Sequence, residues 1–234
     1  MSAIKKLQNE DIANRKRLLD ITNDGHFRVA IFGSARIKPE DKTYQEVVEL
    51  ARQLAINWYD IVTGGGPGAM EAASYGHQLA NNADESQAIG INIKLPFEQK
   101  PNKYLDFTET TSTFSARLDT FMLLSHMFIV TPGGIGTLLE LFYTWQLMQV
   151  GHICRTPIIL WGSQYKTLQN YINNEIVERG FMSAHDAELA IQTDSLEKTM
   201  ELVHMAHSAY EKSGKDACVN IHQYIAGAKR LGLI

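Results

Sequence analysis

Residues 130–140, "VTPGGIGTLLE", pass from an apolar run through one proline and three glycines into a leucine-rich stretch. The run before them, "HMFIVT" (126–131), reads as a buried strand and the leucines as a helix, so the glycines form a strand-to-helix turn. Outward from this turn the same alternation repeats. Upstream lie "FRVAIFGS" (27–34), the helical "YQEVVELARQLAINW" (44–58), "YDIVTGGG" (59–66), the helical "AMEAASYGHQLA" (69–80), "QAIGINI" (87–93) and a helix from about Thr113. Downstream follow the leucine-rich helix, the strand "TPIIL" (156–160), a helix near 164–178 and another near 196–211. Such alternation implies parallel strands joined by crossover helices. The predicted fold is α/β, a Rossmann-like doubly wound parallel sheet with helices on both faces. A single domain spans 1–234, with its core over about 27–211, an amphipathic helical arm over about 3–22 and a tail over about 213–234 that the pattern leaves unassigned.

Composition narrows the function classes. Hydrophobic residues make up 44% and charged residues 21%, as in an ordinary globular chain. A net charge of −4 offers no basic field for a nucleic acid polymer or an anionic membrane, so any anion must be held locally. Two cysteines, Cys154 and Cys218, lie far apart and outside any CxxC pair, which argues against a disulfide scaffold or a thiolate zinc site and for a reducing cytoplasm. The charged N-terminus has no apolar run of the signal-peptide kind, and no later stretch is long enough to span a bilayer.

In an open parallel sheet, ligands sit at the carboxyl ends of the strands. Three such ends carry small residues here: Gly33-Ser34, the run from Gly64, Gly65 and Gly66 to Met70, and the turn of Gly133, Gly134, Gly136 and Thr137. Glycine lets backbone N–H groups approach a ligand closely, and the helix N-terminus behind it adds unpaired donors, a combination suited to phosphate. Each turn also has a purely steric explanation, and Ser34 fits an ordinary N-cap. The third turn, with three glycines and a threonine, exceeds what a simple corner requires. The second matches a dinucleotide fingerprint as Gly64-x-Gly66-x-x-Ala69, yet the next strand ends without the acidic residue that holds a ribose diol, so a mononucleotide suits it better.

Glu140 stands one turn beyond the third corner. Thr137-x-x-Glu140 is a capping-box spacing, with Thr137 as N-cap and Glu140 folded back on a backbone N–H; the other reading projects the carboxylate toward whatever the phosphate carries. Arg117, in "TFSARLDTFMLLS", reads from spacing alone as a snorkelling surface arginine. Glu201, His204 and His207 share a helix face, but a bundle-type metal site needs a second such motif, so they read as a solvated face and His126 as a packed histidine.

Taken in order, "FGSAR", "VTGGGPGAMEAA" and "ARLDTFMLLSHMFIVTPGGIGTLLE" resemble the Lonely Guy (LOG) family and its bacterial nucleotide-nucleosidase relatives, over about 28–157. The resemblance implies hydrolysis of the N-glycosidic bond of a nucleoside 5′-monophosphate, AMP or a similar nucleotide, to free base and ribose 5-phosphate, with no cofactor. By motif position it assigns catalysis to Glu140 and Arg117, the phosphate loop to Gly133, Gly134, Gly136 and Thr137, and a second wall to Gly64–Gly66. Arg117 would either hold Glu140 ionised or contact the phosphate. Plant-type cytokinin-activating members carry Arg-Lys where Arg117-Leu118 stands, so the likeness runs toward bacterial enzymes for ordinary purine or pyrimidine monophosphates, which are longer chains. Proteins of this type are often labelled lysine decarboxylases, but the sequence offers no readable site for a pyridoxal Schiff-base lysine and its pyridinium partner. The resemblance also implies a homodimer. A non-catalytic nucleotide sensor or molybdenum-cofactor carrier of the same superfamily is the alternative; it would need the glycines but has no use for the Glu140 and Arg117 pair. Base preference falls to side chains that the sequence does not place, among them Met70, Asn92 and the "PFEQKPN" loop (96–102).

Overall fold

The computed structural model describes residues 25–80, 85–94, 100–213 and 221–234. The expected helical arm over 3–22 lies outside them, as does most of the "PFEQKPN" loop. The strands are β1 (Arg28–Phe32), β2 (Asp60–Thr63), β3 (Ala88–Ile93), β4 (Phe107–Thr111), β5 (Met127–Val130), β6 (Ile158–Trp161) and β7 (Ala190–Thr193). They form one sheet in the order β4-β3-β2-β1-β5-β6-β7. Pairing is parallel at β1–β2, β2–β3, β3–β4, β5–β6 and β6–β7. The doubly wound α/β fold read from the sequence is therefore present. Strand order reverses between β1 and β5, the kind of switch point beside which such sheets bind ligands.

The central strands are short apolar runs because both faces are covered: β1, β2, β5 and β6 are buried at every position. The helices are α1 (Lys42–Ile56), α2 (Ala69–Gln78), α3 (Phe114–Leu124), α4 (Ile135–Gln149), α5 (Tyr165–Tyr171), α6 (Ala184–Ala187), α7 (Leu196–Ser213) and α8 (Ile221–Arg230). The segment Ile172–Val177 continues α5 as a π-helix. Two strands and one helix escaped the sequence reading, β4, β7 and α6; α8 is a short helix at the end of the tail whose packing the pattern leaves unassigned.

Chain contacts gather into two compact units, one made of described residues up to Ala30 with Ala35–Ser125, the other of Ile31–Ser34 with His126–Ile234. In the first, α1 packs its Val47, Val48, Leu50, Ala51 and Leu54 stripe inward. Gly76 of α2 is required there, since a β-carbon would run into the Val48 carbonyl of α1. In the second, Trp145 of α4 donates its indole N–H to the Asp186 carbonyl at 2.8 Å, and His126 packs its ring 4.4 Å from that of Tyr210.

Cys154 is disulfide-bonded, and the chain's other cysteine, Cys218, lies outside the described residues. No helix among the described residues is long and apolar enough to cross a membrane.

Candidate active site

The second unit brings two of the three corners together. At the end of β1, Ser34 donates its N–H to the Pro132 carbonyl at 3.1 Å, and at the end of β5, Thr131 donates to the Phe32 carbonyl at 2.8 Å. The Thr131 hydroxyl donates to the same Phe32 oxygen at 3.0 Å, while the Thr131 carbonyl accepts from Tyr165 Oη at 2.8 Å. Burial pushes the Tyr165 phenol up to about 12, so it remains a donor. Ser34 is not an N-cap: the following helix, α1, starts at Lys42 behind Asp41.

Pro132 to Thr137 form an open corner. Gly134 is the N-cap of α4, with an extended backbone and no side chain to cap with. The first intrahelical bond there runs from Leu138 N–H to the Gly134 carbonyl at 3.0 Å. The N–H groups of Ile135, Gly136 and Thr137 therefore precede the helical ladder, at the positive end of the helix dipole. A β-carbon on Gly134 or Gly136 would meet nothing within 4 Å, whereas one on Gly133 would collide with the Thr137 hydroxyl. Gly133 is thus fixed by packing, and the other two glycines leave room for a ligand.

This geometry removes the capping-box account of Glu140. Thr137 is the third residue of α4, with its side chain turned over Gly133, and Glu140 stands a turn deeper in the helix, half-buried. The Glu140 carbonyl is held by the Thr144 hydroxyl at 2.8 Å.

The first unit holds the second corner, the run from Gly64 to Met70. Arg117, on α3, does not snorkel. Its Nε donates to the Ile91 carbonyl at 2.8 Å and Nη2 to the Gly64 carbonyl at 3.4 Å, with the guanidinium carbon 5.3 Å from the Phe121 ring. Beyond Thr63, β2 no longer pairs with β3, and the Ile91 carbonyl that follows is taken by the arginine. A β-carbon on Gly64 would overlap Nη2 and approach Met70 Sδ to 2.6 Å. Gly65 lies in the left-handed region at φ +70°, donates to Thr63 Oγ1 at 3.1 Å and accepts from Asn102 N–H at 2.9 Å. Gly66 donates weakly to Met70 Sδ at 3.4 Å and accepts from Asn102 Nδ2 at 3.2 Å. This loop satisfies its own groups, unlike the open corner before α4.

Asn102 also accepts from Tyr104 N–H at 3.1 Å, so one side chain ties the glycine loop to the start of the next segment. The sequence showed only an asparagine in an irregular stretch. Of the remaining candidates, His207 Nε2 lies 3.8 Å from Glu211, and among the described residues no three His, Cys, Asp or Glu side chains gather as a metal site would need.

A family model described as possible lysine decarboxylase matches residues 68–203. A pyrimidine/purine nucleotide 5′-monophosphate nucleosidase of Escherichia coli K12 is 32% identical over 120 residues, which cover 49% of this chain and 26% of that protein. The match thus spans about a quarter of that relative. A cytokinin riboside 5′-monophosphate phosphoribohydrolase of Mycobacterium tuberculosis is 27% identical over 191 residues, 78% of this chain and 95% of the relative. In fold, the molybdenum cofactor carrier protein of Chlamydomonas reinhardtii superposes with a TM-score of 0.60 at 18% identity, over 78% of this chain and 99% of the other. With more than half its length inside the family model, the chain belongs to the possible lysine decarboxylase family, the LOG proteins that its glycine motifs resemble.

Proposed function

We propose that this protein hydrolyses the N-glycosidic bond of a nucleoside 5′-monophosphate, releasing free base and ribose 5-phosphate. The observation that carries this reading is the position of Glu140: a half-buried carboxylate in the second turn of a helix whose own N-terminus is an open glycine corner, and not a cap. The N–H groups of Ile135, Gly136 and Thr137 hold the 5′-phosphate. Phosphate anchoring fixes the ribose, so that the carboxylate acts on a positioned C1′ centre.

As the C1′–N bond lengthens, positive charge builds on C1′ and the ring oxygen, and Glu140 stabilises it. Water then bonds to C1′ through its oxygen and loses a proton to Glu140, while the base departs with the bond electrons; that proton passes on to the departed base, which leaves Glu140 ionised again. By motif position Arg117, fixed by two backbone carbonyls, is the second catalytic candidate and supplies a positive charge. The names of the two enzyme relatives support the reaction class.

A homodimer belongs to the same reading. Ile135, Leu139 and Phe142 recur at helical spacing along α4, all exposed in the single chain, a stripe that a second copy would cover. Light scattering of the purified protein tests it.

The activity test is incubation with AMP and other nucleoside monophosphates, with base and ribose 5-phosphate quantified beside Glu140→Gln. Release by the wild type that disappears in the variant supports the reading. Tight nucleotide binding without release points to a carrier or sensor, and equal release by both proteins removes Glu140 from the chemistry.

A further inference from the structure

β3 runs "AIGINI" and places one amide among apolar residues, at Asn92. Asn92 is only 9% exposed, and its Nδ2 is buried without a hydrogen-bond partner. Its backbone carbonyl accepts from the Thr111 hydroxyl at 3.0 Å, so the main chain is committed while the amide nitrogen is not. The alternation of a strand puts Asn92 on the same face as Gly90, and the glycine loop crosses that face: a β-carbon on Gly90 would lie 3.1 Å from the Gly65 α-carbon. A β-carbon on Gly65 would come within 2.6 Å of Asn92 Oδ1 and 3.0 Å of Nδ2. The amide is thus packed against the loop at the carboxyl end of the strand.

The loop does not supply the missing acceptor. The Gly65 carbonyl is taken by Asn102 N–H and the Gly66 carbonyl by Asn102 Nδ2, with Gly65 fixed at φ +70°. Leucine has nearly the same shape as asparagine and would pack in this strand without an orphaned donor, so the amide is a local cost to the fold. Such departures from local consistency concentrate at functional sites. A half-turn about χ2 exchanges nitrogen and oxygen, so either end of the amide can be presented to a ligand. An uncharged group with one donor end and one acceptor end can pair in both directions with a base edge or a sugar hydroxyl, whereas a phosphate, which only accepts, would use the donor end alone.

We propose that Asn92 is a specificity-determining residue that hydrogen-bonds the nucleoside part of the ligand. This rests on the nucleoside monophosphate reading above. The test compares wild type, Asn92→Leu and the isosteric Asn92→Asp for melting temperature, for kcat/KM on AMP, 2′-deoxy-AMP, GMP and CMP, and for binding of AMP and ribose 5-phosphate by calorimetry. Asn92→Leu is expected to melt no lower than wild type while losing about tenfold or more in kcat/KM on the preferred nucleotide, mostly through KM. Asn92→Asp, which lacks the donor, should show a similar loss. A changed order of preference among bases, with ribose 5-phosphate binding intact, assigns the contact to the base; weakened ribose 5-phosphate binding with the order kept assigns it to the sugar.

Unchanged kcat/KM and AMP affinity in both variants overturns the proposal. So does a loss equal for every substrate that merely follows a fall in melting temperature. Should the wild type hydrolyse nothing, the enzymatic reading fails alone, and AMP affinity still decides: about tenfold weaker binding by Asn92→Leu upholds the contact, and unchanged or absent AMP binding refutes it.

Discussion

Arg117 and Gly64 occupy space that cannot be shared: Nη2 reaches the Gly64 carbonyl, and a β-carbon at position 64 would overlap the guanidinium. The glycine is therefore a seat for the arginine. Gly64→Ala should move the guanidinium and leave the fold intact, because the far end of a long side chain can yield. If Arg117 acts in catalysis, a displacement of about 1 Å lowers kcat by as much as about 100-fold. Steady-state kinetics of Gly64→Ala beside Arg117→Ala checks this. Full activity in Gly64→Ala with a lost one in Arg117→Ala would show that the seat is not needed.

Glu140→Gln separates chemistry from helix stability. The helix is capped at Gly134 and the Glu140 carbonyl accepts from the Thr144 hydroxyl, neither of which the substitution changes. Glutamine keeps the shape of the side chain, so the variant should fold and lose no more than about 1 kcal/mol of stability. Turnover should fall by about 100-fold or more, the scale of a lost charge-stabilising or acid–base group. Denaturant melts and kcat on one preparation give both numbers.

The glycines of the α4 corner should divide into structural and ligand-facing members. Gly133→Ala forces Thr137 aside and should cost about 1–3 kcal/mol of stability, the range for overpacking. Gly134→Ala meets nothing within 4 Å and should fold normally, yet its methyl group enters the space assigned to phosphate. Inorganic phosphate and ribose 5-phosphate should bind Gly134→Ala more weakly, by calorimetry, with the melting temperature almost unmoved. Equal stability loss in the two variants would contradict the division.

The central fold was legible because β1, β2, β5 and β6 are mostly apolar runs with a glycine at or just beyond their ends. The edges were not. β4, Phe107–Thr111, is "FTETT", whose polar face looks like loop after a stretch broken by prolines, and only its pairing with β3 makes it a strand. At the site, the spacing of Thr137 and Glu140 suits a capping box, and what removes that reading is that the helix begins at Ile135, behind a glycine cap. Arg117 was readable only by resemblance, since its anchors are backbone carbonyls at positions 64 and 91, and a backbone acceptor leaves no mark on the sequence.

His77 on α2 gives the stability a defined dependence on pH. The ring is 4% exposed, and its Nε2 lies 3.0 Å from Ser86 Oγ. Burial lowers its pKa to about 4, with the Asp106 charge opposing the shift. In the unfolded chain a histidine takes a proton near 6.5, so between about 6.5 and 4 the unfolded state binds more protons than the native state. Stability must then rise with pH across that window: the contribution of neutral His77 is complete above about 6.5 and is lost as pH falls toward 4. The shift corresponds to on the order of 3 kcal/mol, or roughly 5–10 °C of melting temperature in a chain of this size. Melting curves from pH 7 to pH 4.5 should show that fall in the wild type and a much flatter profile in His77→Gln. Carboxylates titrate over part of the same range in both proteins, so the difference between the two slopes isolates the histidine; parallel slopes would mean that His77 takes its proton in the folded state as readily as in the unfolded one.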